Sequence, residues 1–289
     1  MIINALLSVV AAFQMAQIPA TYLPAKPTPD TVLVKVDGVA IKASDVENLL
    51  WDWRGREVTQ DLIAYQLIHK KAETLHLAVT PDDVAKEYER VKAEAAKTLP
   101  AGQNFDDMLR QRGQPKSRLF MQIESNLLLT KIVDVQLDPK KFFKVSTLVF
   151  KPKTESATDL ADAVGKAQDA YKRLAAGEAW DKVMKSTGQD EALVTGKGDL
   201  GWRSIDAFPA TAQAELQRAA VGAYIKPVQT QNGLQLFRLD AVGAKATAKD
   251  LEELKKIYEQ SAMQTTFMAL RNGAKIEGMF APLPAPAQK

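Results

Sequence analysis

The stretch "KGDLGW" at residues 197–202 decides how the second half of this chain is read. Two glycines enclose an Asp and a Leu and lead into a Trp, a composition open to a phosphate loop, a calcium loop or a structural turn. No Gly-Lys-Ser/Thr step leads into a helix, and Asp199 stands where it would repel phosphate charge. A calcium loop needs regularly spaced Asp or Asn and a closing Glu, and neither is present. The remaining reading is a tight turn permitted by Gly198 and Gly201, anchored in a core by Leu200 and Trp202.

Working outward, "VSTLVF" at 145–150 has strand character, and residues 157–177 form an amphipathic helix closed by Gly177. "WDKVMKST" at 180–187 is a short helix, followed by a Gly/Asp/Lys-rich loop that runs into the turn. Beyond it, "PATAQAELQRAA" at 209–220 is helical. "YIKPVQTQNGLQLFRLDAV" at 224–242 is a hairpin with Asn232-Gly233 at its turn. The expected class is α+β: a small antiparallel sheet with helices over residues 142–243, set between N-terminal and C-terminal helical segments.

The N-terminal helical module is expected over 32–138. Val32, Val34 and Val36 alternate into the Asp37-Gly38 turn, and Val39 to Ile41 return as a second strand. Ser44 with Glu47 reads as a capping box starting one helix, and residues 59–78 carry another. Thr80 caps a third, with Pro81 at its first position and Asp82 and Asp83 complementing the dipole. "NFDDMLRQRG" is a short helix stopped by Gly113, and residues 115–137 form a long one. The C-terminal segment 247–280 reads as a long helix and a last strand, "AKIEGMF", expected to pack on the N-terminal module because neither buries its apolar face alone. Residues 281–289 are expected to be a disordered tail.

Residues 1–20 contain an apolar core, Ile2 to Ala12, of secretory-signal length and too short to span a bilayer, followed by small residues. No Lys or Arg precedes it. A cleaved signal or a retained N-terminal membrane tether is expected, then a Pro-rich linker over 21–31. Either places the chain in the periplasm, cell envelope or outside the cell.

Composition narrows the chemistry. Net charge is +3 over 289 residues with both signs interleaved, which gives no basis for nucleic-acid binding. Cysteine is absent, so disulfides, zinc-thiolate sites and thiol nucleophiles are excluded. The two histidines, His69 and His76, lie seven residues apart on one helix, about 10 Å of rise, too far to share a metal. No cofactor and no metal is expected. The pairs Asp82-Asp83 and Asp106-Asp107 sit in first helical turns, where capping accounts for them.

Taken together, "VSTLVF", "AYKRLAAGEAWDKVMKSTGQD", "KGDLGW" and "FPATAQAEL…VGAYIKPVQTQNGLQLFRL" resemble a parvulin-type peptidyl-prolyl isomerase domain. The surroundings resemble the SurA/PrsA/PpiC class of exported foldases, in which helical chaperone segments enclose the isomerase domain. The resemblance implies a folding factor that binds unfolded polypeptide and Xaa-Pro segments. The family's first-strand His corresponds to Thr147, and the His after the last hairpin turn to Gln235. The family's Cys or Asp falls near Asp190, and the apolar residues beside the prolyl ring near Ala207 or Phe208 and Thr211 or Ala212. Candidate catalytic residues are therefore Thr147, Asp190, Phe208 and Gln235, with Gly198, Asp199, Leu200, Gly201 and Trp202 as the structural motif. Replacement of both histidines points to weak isomerase activity; a fully active isomerase and a non-catalytic structural subunit are the alternatives. Thr147 and Gln235 are expected to lie on neighbouring strands within reach of each other. Met108, Phe120, Met121, Met263, Phe267 and Met268 are candidates for an adaptable client surface, or for plain core packing.

Overall fold

The computed structural model describes residues 16–100 and 102–280. Most of the expected signal stretch and the whole 281–289 tail lie outside the described residues. The chain divides into two units, residues 1–135 with 262–289, and residues 136–261.

In the first unit, β1 (Val32–Val36) and β2 (Val39–Lys42) form an antiparallel hairpin turning through Asp37 and Gly38, both at positive φ. A single helix, α1 (Ala43–Thr74), replaces the two expected there. Its start lies earlier than the Ser44 reading: the Lys42 N–H donates to Asp45 Oδ2 at 2.7 Å, while Glu47 pairs with Lys26. Gly55 does not interrupt it, and a Cβ there would meet Trp51 Cε3 at 3.1 Å and the Phe280 ring at 3.5 Å. Helix α2 (Pro81–Ala96) starts at the expected Thr80 cap, and Asp83 closes it into a capping box: Asp83 N–H donates to Thr80 Oγ1 and Thr80 N–H to Asp83 Oδ2. Helix α3 (Phe105–Gln111) is capped by Asn104, and α4 (Lys116–Asp134) follows Gly113 at φ +63.

Two cores hold this unit. Val84, Tyr88, Phe105, Leu109, Leu119 and Ile123 form one. Ile68, Ala72, Leu128, Leu129 and Ile132 form the other, and Met263, Phe267 and Leu270 pack against it. Met108, Phe120 and Met121 lie against the first core, so packing accounts for five of the six candidate client residues; Met268 remains exposed. Tyr22 is buried and stacks on Phe120 at 4.9 Å, so the 21–31 stretch begins as packed structure rather than solvated linker. Residues 274–280, read as a last strand, are irregular: Gly278 stands at φ +122 and, among the described residues, no strand pairs with the segment.

The second unit is a four-stranded antiparallel sheet in the order β4-β3-β6-β5, with β3 (Phe142–Phe150) central. After β3 come α5 (Ala157–Ala175), α6 (Trp180–Ser186), α7 (Glu191–Thr195) and β4 (Asp199–Ser204). Then follow α8 (Ala210–Leu216), β5 (Tyr224–Thr230), β6 (Gly233–Val242) and α9 (Ala248–Asn272), whose residues from 262 onward belong to the first unit. Both faces of β3 are covered. Phe143 and Val145 join Phe237, Leu239, Phe208 and Leu216 on one side. Leu148 and Phe150 join Leu236, Trp180 and Met184 on the other, where Ala167 and Ala170 let α5 approach closely.

The 197–202 turn is what binds β4 to β3. Gly198 stands at φ +71, and a Cβ on it would lie 2.3 Å from the Thr147 carbonyl oxygen. That closeness serves a bond: Thr147 N–H donates to the Gly198 carbonyl at 2.8 Å. The Asp199 carboxylate accepts the Gly201 N–H at 2.7 Å, folding the turn on itself. Trp202 is fully buried against Phe142 and Leu254, and the Trp180 indole N–H donates to the Lys197 carbonyl. In the β5–β6 hairpin the turn is Gln231-Asn232, one residue before the expected Asn-Gly; Gly233 opens β6 at φ +106, paired with Thr230. A Cβ there would meet the Phe150 carbonyl at 2.8 Å.

Candidate functional site

The sheet face that carries Phe237 opens into a cleft of about 620 Å³. Leu200 and Arg203 come from β4, Ala207, Phe208 and Pro209 from the segment entering α8, and Gln229 to Asn232 from the β5–β6 hairpin. Gln235 and Phe237 on β6 complete it. Phe208 and Phe237 meet edge to face, ring centroids 5.4 Å apart and planes at 89°, an arrangement that aligns the positive edge of one ring with the negative face of the other. The Phe208 carbonyl accepts from Gln213 Nε2 at 2.8 Å, so α8 holds the Phe208 backbone in place.

Of the four candidate residues, Phe208 and Gln235 line this cleft. Thr147 is almost fully buried on β3, opposite Phe237, while Gln235 pairs with Val149 two positions along. The expected Thr147–Gln235 contact is absent. The Thr147 hydroxyl lies 3.2 Å from the Leu236 carbonyl and 3.3 Å from that of Leu148, and donates to these backbone oxygens instead of turning toward the cleft. Burial sets this choice, because a hydroxyl out of water takes the nearest acceptor. Asp190 does not reach the cleft either. The loop expected around it is α7, which leaves Asp190 exposed before the helix, and it is the neighbouring Gln189 whose Oε1 accepts the Val149 N–H at 2.8 Å.

Arg203, Pro209 and Gln229 were not among the sequence candidates. Arg203 directly follows the Gly-Asp-Leu-Gly-Trp turn, a place that marks it in hindsight, but its position at the cleft depends on β4 lying beside β3 with Arg203 opposite Phe143. It is the one formally charged side chain in the lining. With no His, Asp, Glu, Tyr or Lys among the lining residues, the cleft offers no side chain that titrates near neutrality, and its one hydroxyl, that of Thr230, donates to the Gly233 carbonyl at 2.9 Å. It can seat an apolar ring against the wall that Phe208 and Phe237 form together and present amide groups from Gln229, Asn232 and Gln235.

The first unit carries a separate buried polar cluster. The Tyr65 hydroxyl donates to Glu124 Oε2 at 3.1 Å, and His69 lies 3.6 Å from Glu124 Oε1 with its ring 4.0 Å from that of Tyr65. Burial pushes the Glu124 carboxyl above its ordinary range and the His69 imidazole below its own. Burial and then the Glu124 charge raise the Tyr22 hydroxyl to about 12.

Residues 148–241 match the family model described as Rotamase: PPIC-type PPIASE domain. The chain is 24% identical over 246 residues to "Foldase protein PrsA" of Geobacillus sp. (strain WCH70), covering 85% of this chain and 84% of that one. It is 30% identical over 99 residues to "Chaperone SurA" of Chromobacterium violaceum, which covers 34% of this chain and 23% of the relative. Among solved structures, the peptidylprolyl isomerase PrsA from Bacillus cereus aligns with 87% of this chain and 95% of its own at 18% identity and a TM-score of 0.47. Residues 148–241 thus carry a PPIC-type, parvulin-like domain, and the chain around them is similar to PrsA foldases.

Proposed function

We propose that this chain is a protein-folding factor acting outside the cytoplasm, which binds non-native polypeptide and eases rotation about Xaa-Pro bonds in the cleft of its second unit. The observation that carries the reading is a cleft with a paired aromatic wall, Phe208 on Phe237, ringed by amide side chains and lined by no carboxylate, imidazole or amine. Prolyl isomerisation makes and breaks no covalent bond; its barrier, about 18–20 kcal/mol, is loss of amide resonance. The twisted amide has less charge separation than the planar one, so an apolar, water-poor cleft binds it preferentially and lowers the barrier. Phe208 and Phe237 supply that surface, and the Gln235 amide is placed to hydrogen-bond a substrate carbonyl. Thr147 supports the floor through backbone contacts, and Asp190 is left without a role in the cleft.

Lacking the family's two histidines, the cleft is expected to accelerate isomerisation weakly, each missing catalytic hydrogen bond costing on the order of 10² in rate. Polypeptide binding by the helical unit is then the main activity. Two matching relatives, described as foldase and chaperone, support that emphasis, as does the signal-like stretch at residues 1–20. If that stretch is retained, it tethers the protein to a membrane; no described helix is long and apolar enough to cross one.

Two assays on the same preparation test the reading. Protease-coupled isomerisation of Ala-Xaa-Pro-Phe peptides should show slight acceleration that Phe208→Ala abolishes, and aggregation of a denatured reporter protein should be suppressed by wild type and Phe208→Ala alike. Failure to suppress aggregation would remove the chaperone role. Acceleration unaffected by Phe208→Ala would remove the cleft.

A further inference from the structure

In the first unit a short run of the chain's own backbone is held by a side-chain amide. Gln66, on α1, accepts the Ala16 N–H at 2.8 Å through Oε1 and donates to the Ala16 carbonyl at 2.7 Å through Nε2. Both polar groups of one residue are thus read at once, the exchange a β-strand partner makes, but by a side chain and without regard to what residue 16 is. Two residues on, Ile18 packs against the core of Val84, Tyr88 and Phe105, and Tyr22 stacks on Phe120. Residues 16–19 carry no helix or strand of their own, so the run crosses the unit as a guest would.

The seat is larger than its occupant. Beside Ala16 lies a cleft of about 600 Å³ whose apolar wall is Leu67, Ala72, Leu77, Val79 and Leu128, with His69, Lys70, Glu73 and Glu124 also in its lining. A methyl group leaves most of that space unfilled, and burying a larger apolar side chain there is favourable in proportion to its area. The features together are sequence-independent capture of the main chain, a roomy apolar recess for one side chain and a fixed slot for an aliphatic residue two positions later.

We propose that this seat is a docking site for an extended segment of non-native polypeptide bearing a bulky apolar side chain at the Ala16 position, and that residues 16–22 occupy it as a tethered substitute. The inference rests on the polypeptide-binding reading above and gives it a location. It also gives the signal-like stretch a second consequence: processing after Ala20 would remove Ala16 and Ile18 and leave the seat open.

The test uses the full chain with its own segment loosened. Ile18→Asp takes the aliphatic anchor out of its slot, and Ile18→Gly is the milder variant should the charge unfold the unit; circular dichroism checks folding. The probe is a fluorescein-labelled peptide of residues 16–23, in its native form and with Ala16→Leu, read by fluorescence anisotropy. Binding is expected to be at least about tenfold tighter to the loosened chain than to wild type, tighter again for the Ala16→Leu peptide, and about tenfold weaker when Gln66→Ala is added, since two main-chain hydrogen bonds are lost. Equal binding by wild-type and loosened chains, or indifference to Gln66→Ala, would overturn the site. Aggregation suppression by the wild-type chain is measured beside it: if that persists while the peptide ignores the seat, the docking site fails and the chaperone reading stands.

Discussion

Replacing Gly198 and Gly201 by Ala, one at a time, separates two reasons for a glycine that the turn sequence alone leaves merged. Both residues stand in left-handed backbone, at φ +71 and +67. An Ala pays about 1–2 kcal/mol for that conformation. At Gly201 nothing lies within 4 Å of the added carbon, so this is the whole cost. At Gly198 the carbon would stand 2.3 Å from the Thr147 carbonyl oxygen and 3.0 Å from Met184 Cε. Backbone on the central strand must give way, and the bond from Thr147 N–H to the Gly198 carbonyl opens with both groups buried. Leaving such groups unpaired costs about 1–3 kcal/mol more. Gly198→Ala should therefore destabilise by roughly 3–4 kcal/mol, about twice the loss at Gly201. Urea unfolding followed by tryptophan fluorescence reads the difference, because Trp180 and Trp202 in this unit are buried while Trp51 and Trp53 in the other are more than half exposed. A shift in midpoint at constant slope reports stability. Equal losses at the two glycines would refute the claim that close approach to β3 makes Gly198 necessary.

Phe208→Ala should cost about 3–4 kcal/mol, the usual loss for a buried aromatic, and Phe208→Leu much less, so that unfolding curves of the two separate packing from cleft chemistry. Gln235→Leu keeps the volume and removes the amide; isomerase activity should fall while the urea midpoint holds, and a parallel fall in both would make Gln235 structural. Glu124→Gln probes the buried cluster of the helical unit. The folded-state pKa of Glu124 lies above its ordinary value, so wild type loses stability as pH rises from the ordinary carboxylate range through that raised value. The advantage of Glu124→Gln should accordingly grow with pH across that window and then level off, and a constant difference in thermal midpoint would contradict the burial. His69 runs the other way. Its imidazole is pushed down by burial, so the stability it contributes is present above the ordinary histidine value and is lost as pH falls toward the lowered one. In the Glu124→Gln background the thermal midpoint should therefore drop on acidification below about 6.5.

Local chemistry carried a good part of this fold. The Thr80 cap, Pro81 behind it and the Gly113 stop depend on residues within a few positions of one another, and each appears where the sequence put it. The apolar, β-branched and aromatic runs of 143–150 and 224–242 marked the strands, and the Asn-Gly signal between the last two marked a hairpin. The expected turn at Gly198 and Gly201 likewise follows from residues that alone tolerate its backbone angles.

Tertiary contacts decided the rest. Helix α1 runs unbroken through Gly55, where Phe280, 225 positions away and outside any local window, closes over the residue. The Thr147 hydroxyl faces strand carbonyls rather than Gln235, since β3–β6 register offsets the two by two residues. Asp190 is displaced from the cleft by the formation of α7, and Arg203 enters it only because β4 pairs with β3. The sequence by itself determined the elements, the class and the turn that joins them, because these depend on short-range backbone chemistry. Which side chains meet in the cleft, and which residue of the N-terminal run is gripped by Gln66, only the tertiary structure decided, because both depend on strand register and helix docking between residues far apart in the chain.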